Sequence, residues 1–194
     1  MANPDTPFGL RPVGYVGGAP YNGAARVYSV AAGDGTRIGI GDPVTTAGVG
    51  TGQTINGVLS IDVVRAATGD VITGVVVGVV PQTADSTTYR VASTARQLLV
   101  ADDPNLIFEI QEVSGGTALT ANDIGLNANF VVADCSTTTG YSNVELNNGS
   151  EADTNTLDLK IVGFKNAPDN AIGEHAKWLV RINRHRHVNQ IAGI

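Results

Sequence analysis

Gly, Pro, Asn and Asp interrupt this chain about every 8 to 12 residues, and the apolar runs between the breaks are short. That punctuation leaves little room for helices, which need ten or more residues of sustained 3.6-residue periodicity. Strands of half that length fit. Val, Thr and Ala are abundant, and long runs of strong helix formers are missing. The expected fold is therefore all-β, with a barrel or sandwich core. Three segments carry the two-residue alternation of a half-buried strand. In 106–111, Leu106, Phe108 and Ile110 oppose Glu109 and Gln111; in 156–161, Leu157, Leu159 and Ile161 share a face. In 176–183, Trp178, Val180 and Ile182 oppose Lys177, Arg181 and Asn183.

Further strands are expected at 25–31, 58–64, 71–80, 87–92, 97–101 and 129–134. Residues 44–52 read as a loop or a weak edge strand. Residues 71–80 are apolar on both faces, the pattern of a central strand, and Gly74 and Gly78 mark a bend or bulge within it. Thr120-Ala-Asn-Asp123 resembles a capping box and predicts one short helical turn.

The first 24 residues are different in kind. Pro4, Pro7, Pro12 and Pro20 alternate with Gly9, Gly14, Gly17, Gly18 and Gly23, a mixture that excludes a helix or a central strand. Phe8, Leu10, Tyr15 and Tyr21 nevertheless give it apolar anchors. The expectation is an extended arm (1–24) that takes its order from a neighbouring subunit. A β core follows (25–183), divisible into small subdomains at about 25–101 and 102–183, and then a C-terminal tail (184–194). Phe8, Leu10, Arg11, Tyr15, Tyr21, Arg184, Arg186, Ile191 and Ile194 are the expected contacts with a neighbouring subunit.

The net charge is −6, which gives no overall attraction to nucleic acid or to acidic membranes, and neither is an expected partner. The charge is uneven: residues 160–194 carry +4 and the remainder −10. Such a split suits head-to-tail contact between copies and equally suits two solvated faces of one monomer. The longest apolar run, 71–80, is interrupted by Thr73 and Gly74 and is far short of a membrane span. The opening Met-Ala-Asn-Pro-Asp has neither the basic nor the apolar region of a secretory signal, so none is expected. Cys135 is the single cysteine, which rules out an internal disulfide.

The catalytic inventory is thin, and no enzymatic activity and no cofactor are expected. His185 and His187 would share a face on a strand and could hold one metal, but no Cys, Asp or Glu follows them to complete a site. A metal there is disfavoured against a solvated basic tail. Cys135 lacks a neighbouring base and reads as a small buried residue. Asp102-Asp103 reads as a turn before Pro104 rather than an acid–base pair. No phosphate-binding loop, nucleophile elbow or dinucleotide fingerprint is present.

Several segments carry a family resemblance. Thr6-Pro7-Phe8-Gly9-Leu10-Arg11-Pro12 followed by Gly18-Ala19-Pro20-Tyr21-Asn22-Gly23 resembles the head decoration or cement proteins of tailed bacteriophages. Asp103-Pro104-Asn105, Phe108 to Glu112, Asp123 to Ala128, Leu159 to Phe164 and Ala176 to Asn183 are similar to the same proteins. The resemblance covers the arm and much of 102–183. It implies a structural protein on the outer surface of the virion, made in the bacterial cytoplasm, that stabilises the shell by bridging capsid subunits. Its implied partners are the major capsid protein and further copies of itself. The arm, the tail and the charge split favour a homotrimer over a dimer. The alternatives are a glycan-binding β domain of a phage tail or fibre, which would need exposed aromatics, and a cupin-like metalloenzyme.

Overall fold

The computed structural model of the protein describes residues 3–48 and 51–188. The described chain is all-β and contains no α-helix. One five-stranded sheet runs in the order β1 (Arg11–Tyr15), β9 (Leu106–Gln111), β14 (Lys177–Ile182), β13 (Leu159–Phe164) and β10 (Asn127–Ala128). The other runs β2 (Arg26–Val30), β8 (Arg96–Ala101), β7 (Gly74–Val79), β3 (Pro43–Thr46) and β6 (Val63–Arg65). Two ribbons complete the regular structure, β4 (Gly52–Ile55) with β5 (Val58–Ile61) and β11 (Phe130–Val131) with β12 (Glu145–Leu146). All strand pairs are antiparallel, in an arrangement of the sandwich type.

The alternating segments form the centre of the first sheet. Trp178 sits opposite Ile110 and Phe164, and Val180 opposite Phe108 and Ile161. Their inward side chains build the larger core, which also takes Ile72, Val75 and Ala101 from the second sheet and its flank. A smaller core of Tyr28, Val30, Ile38, Val44, Val63, Val76, Leu98 and Val100 fills the other face of the second sheet. Strand β7 is what links them: Val75 points into one core and Val76 into the other, as expected for a strand apolar on both faces. Its register shifts between Val76 and Gly78, which places the expected bulge there. The helical turn is a 3-10 turn, Ala121–Asp123, with Thr120 and Asp123 bonding reciprocally as a capping box.

Three segments differ from expectation. Residues 58–64 are not one strand: they divide at Asp62, whose carboxylate accepts from Ser29 Oγ at 2.6 Å and Gln53 Nε2 at 2.8 Å. Residues 87–92 form no strand beyond a bridge between Ile38 and Arg90. There the fully buried Arg90 side chain, not a ladder, satisfies the backbone. Its guanidinium donates to the carbonyls of Thr94, Ala31, Asp34 and Thr36. Within 129–134 only the two residues of β11 pair.

The N-terminal segment requires a correction. Residues 11–15 are edge strand β1, paired along β9 of the same chain, and Leu10 is 1% exposed inside the larger core. Proline is tolerated here because β1 is an edge, and the register shifts between Pro12 and Gly14. The chain then doubles back, with Tyr21 N donating to the Val13 carbonyl at 3.3 Å. The segment thus takes its order from its own body.

Candidate interaction surface

The arm enters the body at Gly39-Ile-Gly-Asp42. Leu10 N donates to Gly41 O at 2.9 Å, and Gly41 N to Val76 O at 2.8 Å. Ile40 pairs with the 140–142 loop through Gly140 O and Ser142 N. Gly9 has φ +70, and a Cβ on it would lie 2.5 Å from Gly41 O and from Ser142 Cβ, so only glycine fits this crossing. Asp42 anchors the loop from beneath, accepting from Gly39 N and from Ser142 Oγ, and burial pushes its carboxyl up to about 6. Cys135 lies against Gly39 and is 2% exposed; burial raises its thiol to about 11. That excludes a poised thiolate.

This crossing leaves a groove of about 310 Å³ lined by Phe8, Leu10, Arg11, Tyr21 and Tyr141, among others. The Arg11 guanidinium stacks over the Phe8 ring at 4.2 Å from its centre. Four of the expected contact residues therefore meet in one place, although Leu10 forms its floor and belongs to the core. Tyr15 lines a separate cleft of about 610 Å³ with Arg26, Asp102, Asp103 and His187. In that cleft Asp102 is a structural acceptor, taking a hydrogen bond from Tyr28 Oη at 2.8 Å with Arg26 at 3.4 Å, and not half of an acid–base pair.

The basic run is not a solvated tail. Ile72 is bracketed by it, with Ile72 N donating to Arg184 O at 2.7 Å and Arg186 N donating to Ile72 O at 2.9 Å. Arg184 also donates to Thr156 O, and Arg186 reaches Thr45 and Thr73. Arg184 is committed within the chain, while Arg186 stays exposed. Ile191 and Ile194 lie outside the described residues. His185 lies at an isolated bridge to Ile72 and His187 in the turn that follows, so the two do not share a strand, and His187 N donates to His185 Nδ1 at 3.1 Å. Burial drives the His185 pKa down to about 4, so the ring is neutral, with Nδ1 occupied. A group of convergent ligand-type atoms lies elsewhere, on Asp5, Glu145 and His175.

No family of known proteins, no curated protein and no solved structure matches this chain.

A surface that sequence reading missed is the β4–β5 ribbon. Asn56 (φ 51) and Gly57 (φ 80) close it in the two-residue turn favoured for hairpins. Its inner face, by alternation from the buried Ser60, carries Gln53, Ile55, Val58 and Ser60. Ser60 is buried, its carbonyl accepts from Ser29 Oγ, and Gln97 Nε2 donates to Ile55 O. Its outer face carries Leu59, 76% exposed, and Ile61, 54% exposed. A surface ribbon usually keeps such large apolar side chains off its solvent face. The Asn-Gly dipeptide before an apolar run was the signal for it.

Proposed function

We propose that this chain is a structural protein of a tailed-phage virion that decorates the outer surface of the capsid and cements its subunits. The observation that carries the reading is the pair of large apolar side chains, Leu59 and Ile61, exposed on the outer face of the β4–β5 ribbon. Leu59 and Ile61 keep most of their surface in water, and covering it is worth roughly 1–2 kcal/mol each. The Phe8–Arg11–Tyr21 groove and the exposed Arg186 add a second surface. The family resemblance of the arm and of 102–183 supplies the partner, the major capsid protein, with further copies of this chain beside it. Many modest contacts of this kind, repeated over a lattice, hold a shell together through avidity. A homotrimer on local three-fold junctions suits the resemblance best, and the role needs no catalysis. A glycan-binding role is less well supported, because Trp178 is fully buried and Tyr141 is the one exposed aromatic among the described residues.

Capsids stripped of surface proteins provide the test. Wild-type protein should bind them at a copy number close to that of the capsid protein and raise their resistance to heat. A Leu59→Ser/Ile61→Ser variant should fold with unchanged stability and bind more than about tenfold more weakly. Equal binding by the variant would remove the ribbon from the interface, and absence of wild-type binding would overturn the proposal. Mass measurement in solution and on the particle decides the oligomer.

A further inference from the structure

Three segments far apart in sequence converge around the side chain of Gln111, which is fully buried at the end of β9. Asp5 comes from the arm, Glu145 from β12, and His175 from the loop before β14. The Gln111 amide nitrogen lies 3.2 Å from Asp5 Oδ1, 3.1 Å from Glu145 Oε1 and 3.2 Å from His175 Nδ1. Its oxygen is already taken, accepting from Thr6 N at 3.2 Å, which fixes the amide orientation. An amide nitrogen has two hydrogens to share among these three neighbours, and His175 Nδ1 accepts or donates according to its tautomer. The ligand-type atoms of Asp5, Glu145 and His175 lie within 4.8 Å of one another, with His175 Nδ1 and Asp5 Oδ1 3.6 Å apart. Two carboxylates and an imidazole thus converge on one point beside a buried amide.

We propose that Asp5, Glu145 and His175 form a binding site for a divalent transition metal, Zn²⁺ or Mn²⁺. One imidazole nitrogen with two carboxylate oxygens is a donor set suited to these ions, and no thiolate is near it. Ligand atoms bonded to such an ion at about 2.0–2.2 Å stand roughly 3–4.4 Å apart, so modest contraction closes the site. Asp5 is exposed and Glu145 and His175 are half-buried, which leaves the ion a way in. Gln111 acts as a positioning residue, holding the carboxylate oxygens from below. The surroundings are already fixed: the Asn3 side chain donates to Ala171 O and Glu174 O and accepts from Ala171 N, tying the arm to the loop that carries His175. His175 itself has φ 58, an uncommon backbone state for a non-glycine residue. Because one ligand sits on the arm, the ion fastens residues 3–9 to the body. This site is independent of the capsid reading.

The test uses the full chain stripped with chelator and titrated calorimetrically with Zn²⁺, Mn²⁺ and Ca²⁺, with thermal unfolding and hydrogen exchange read in parallel. Zn²⁺ or Mn²⁺ should bind one equivalent, raise the melting temperature and slow exchange in residues 3–9. Asp5→Asn, on the exposed arm, and His175→Asn, a residue that tolerates the left-handed backbone, should each weaken binding more than about tenfold while keeping the fold. No saturable binding by Zn²⁺ or Mn²⁺, binding of Ca²⁺ alone, or affinity kept in either variant would overturn the site.

Discussion

Glu112 should make this protein less stable as pH rises from acid to neutral, and Trp178 should report it. Glu112 is fully buried beside the core, and its Oε2 accepts from Trp178 Nε1 at 2.6 Å. Burial is the largest influence on its carboxyl and raises it from 4.5 to about 7; the indole hydrogen bond opposes this without cancelling it. The unfolded chain therefore releases this proton near 4.5 and the folded chain near 7. Between those values the folded state binds more protons, so stability falls as pH rises. At 1.36 kcal/mol per unit, the full loss is about 3 kcal/mol, complete a little above pH 7 and absent below about 4.5. Trp178 is the single tryptophan, so its emission in folded protein should titrate with a midpoint near 7. Urea unfolding at a series of pH values gives the stability, and Glu112→Gln isolates the contribution. The difference between wild type and variant should change by about 3 kcal/mol across this window, and the emission step should vanish. A flat emission titration in wild type, or a difference that does not vary with pH, would refute the reasoning.

His185 acts with the opposite sign. Its folded pKa near 4 lies below the unfolded 6.5, so it should lower stability as pH falls through that window, and His185→Gln should remove this slope in acid unfolding curves. Arg90→Met strands the carbonyls of Ala31, Asp34, Thr36 and Thr94 and should cost about 3–5 kcal/mol in urea unfolding. Gly9→Ala meets both a positive φ and the Gly41 carbonyl; it should cost at least about 1–2 kcal/mol and speed hydrogen exchange in residues 10–15. Leu10→Ala, removing a side chain from the larger core, should cost about 2–5 kcal/mol of global stability.

The parts of the fold legible beforehand are those governed by local periodicity. Leu106 to Gln111, Leu159 to Phe164 and Lys177 to Ile182 alternate because one face meets the core, and that requirement is written residue by residue. The misreadings share a cause: a side chain spends its polarity on a distant backbone. Arg90 caps a loop more than fifty residues upstream, so its own segment needs no ladder. Asp62 takes protons from Ser29 and Gln53 and thereby splits an otherwise continuous apolar strand. Proline and glycine in the first 24 residues correctly excluded a central strand. They did not reveal that an edge of the same chain was open to receive Arg11–Tyr15. The Asp5–Glu145–His175 convergence had no local signal at all, since its members are brought together by tertiary structure alone. His185 and His187, two apart in sequence and conspicuous, fall at a bridge and in the turn after it, so they do not share a strand.

The crossing of the arm over the body has a topological consequence. Residues 3–21 form a plug that supplies an edge strand and a core side chain, joined to the rest through residues 22–25, a short tether containing Gly23. Every bond that seats the plug depends on the receiving surface and not on which molecule the plug belongs to. A second chain's plug would meet the same pairing partners, Arg11 opposite Glu109, without a new interface. What keeps the plug at home in dilute solution is the tether, which presents it at an effective concentration in the millimolar range. Where copies are packed to that density, as on a repeating surface, the advantage disappears. An exchanged plug would carry the same contacts between two molecules that it makes within one.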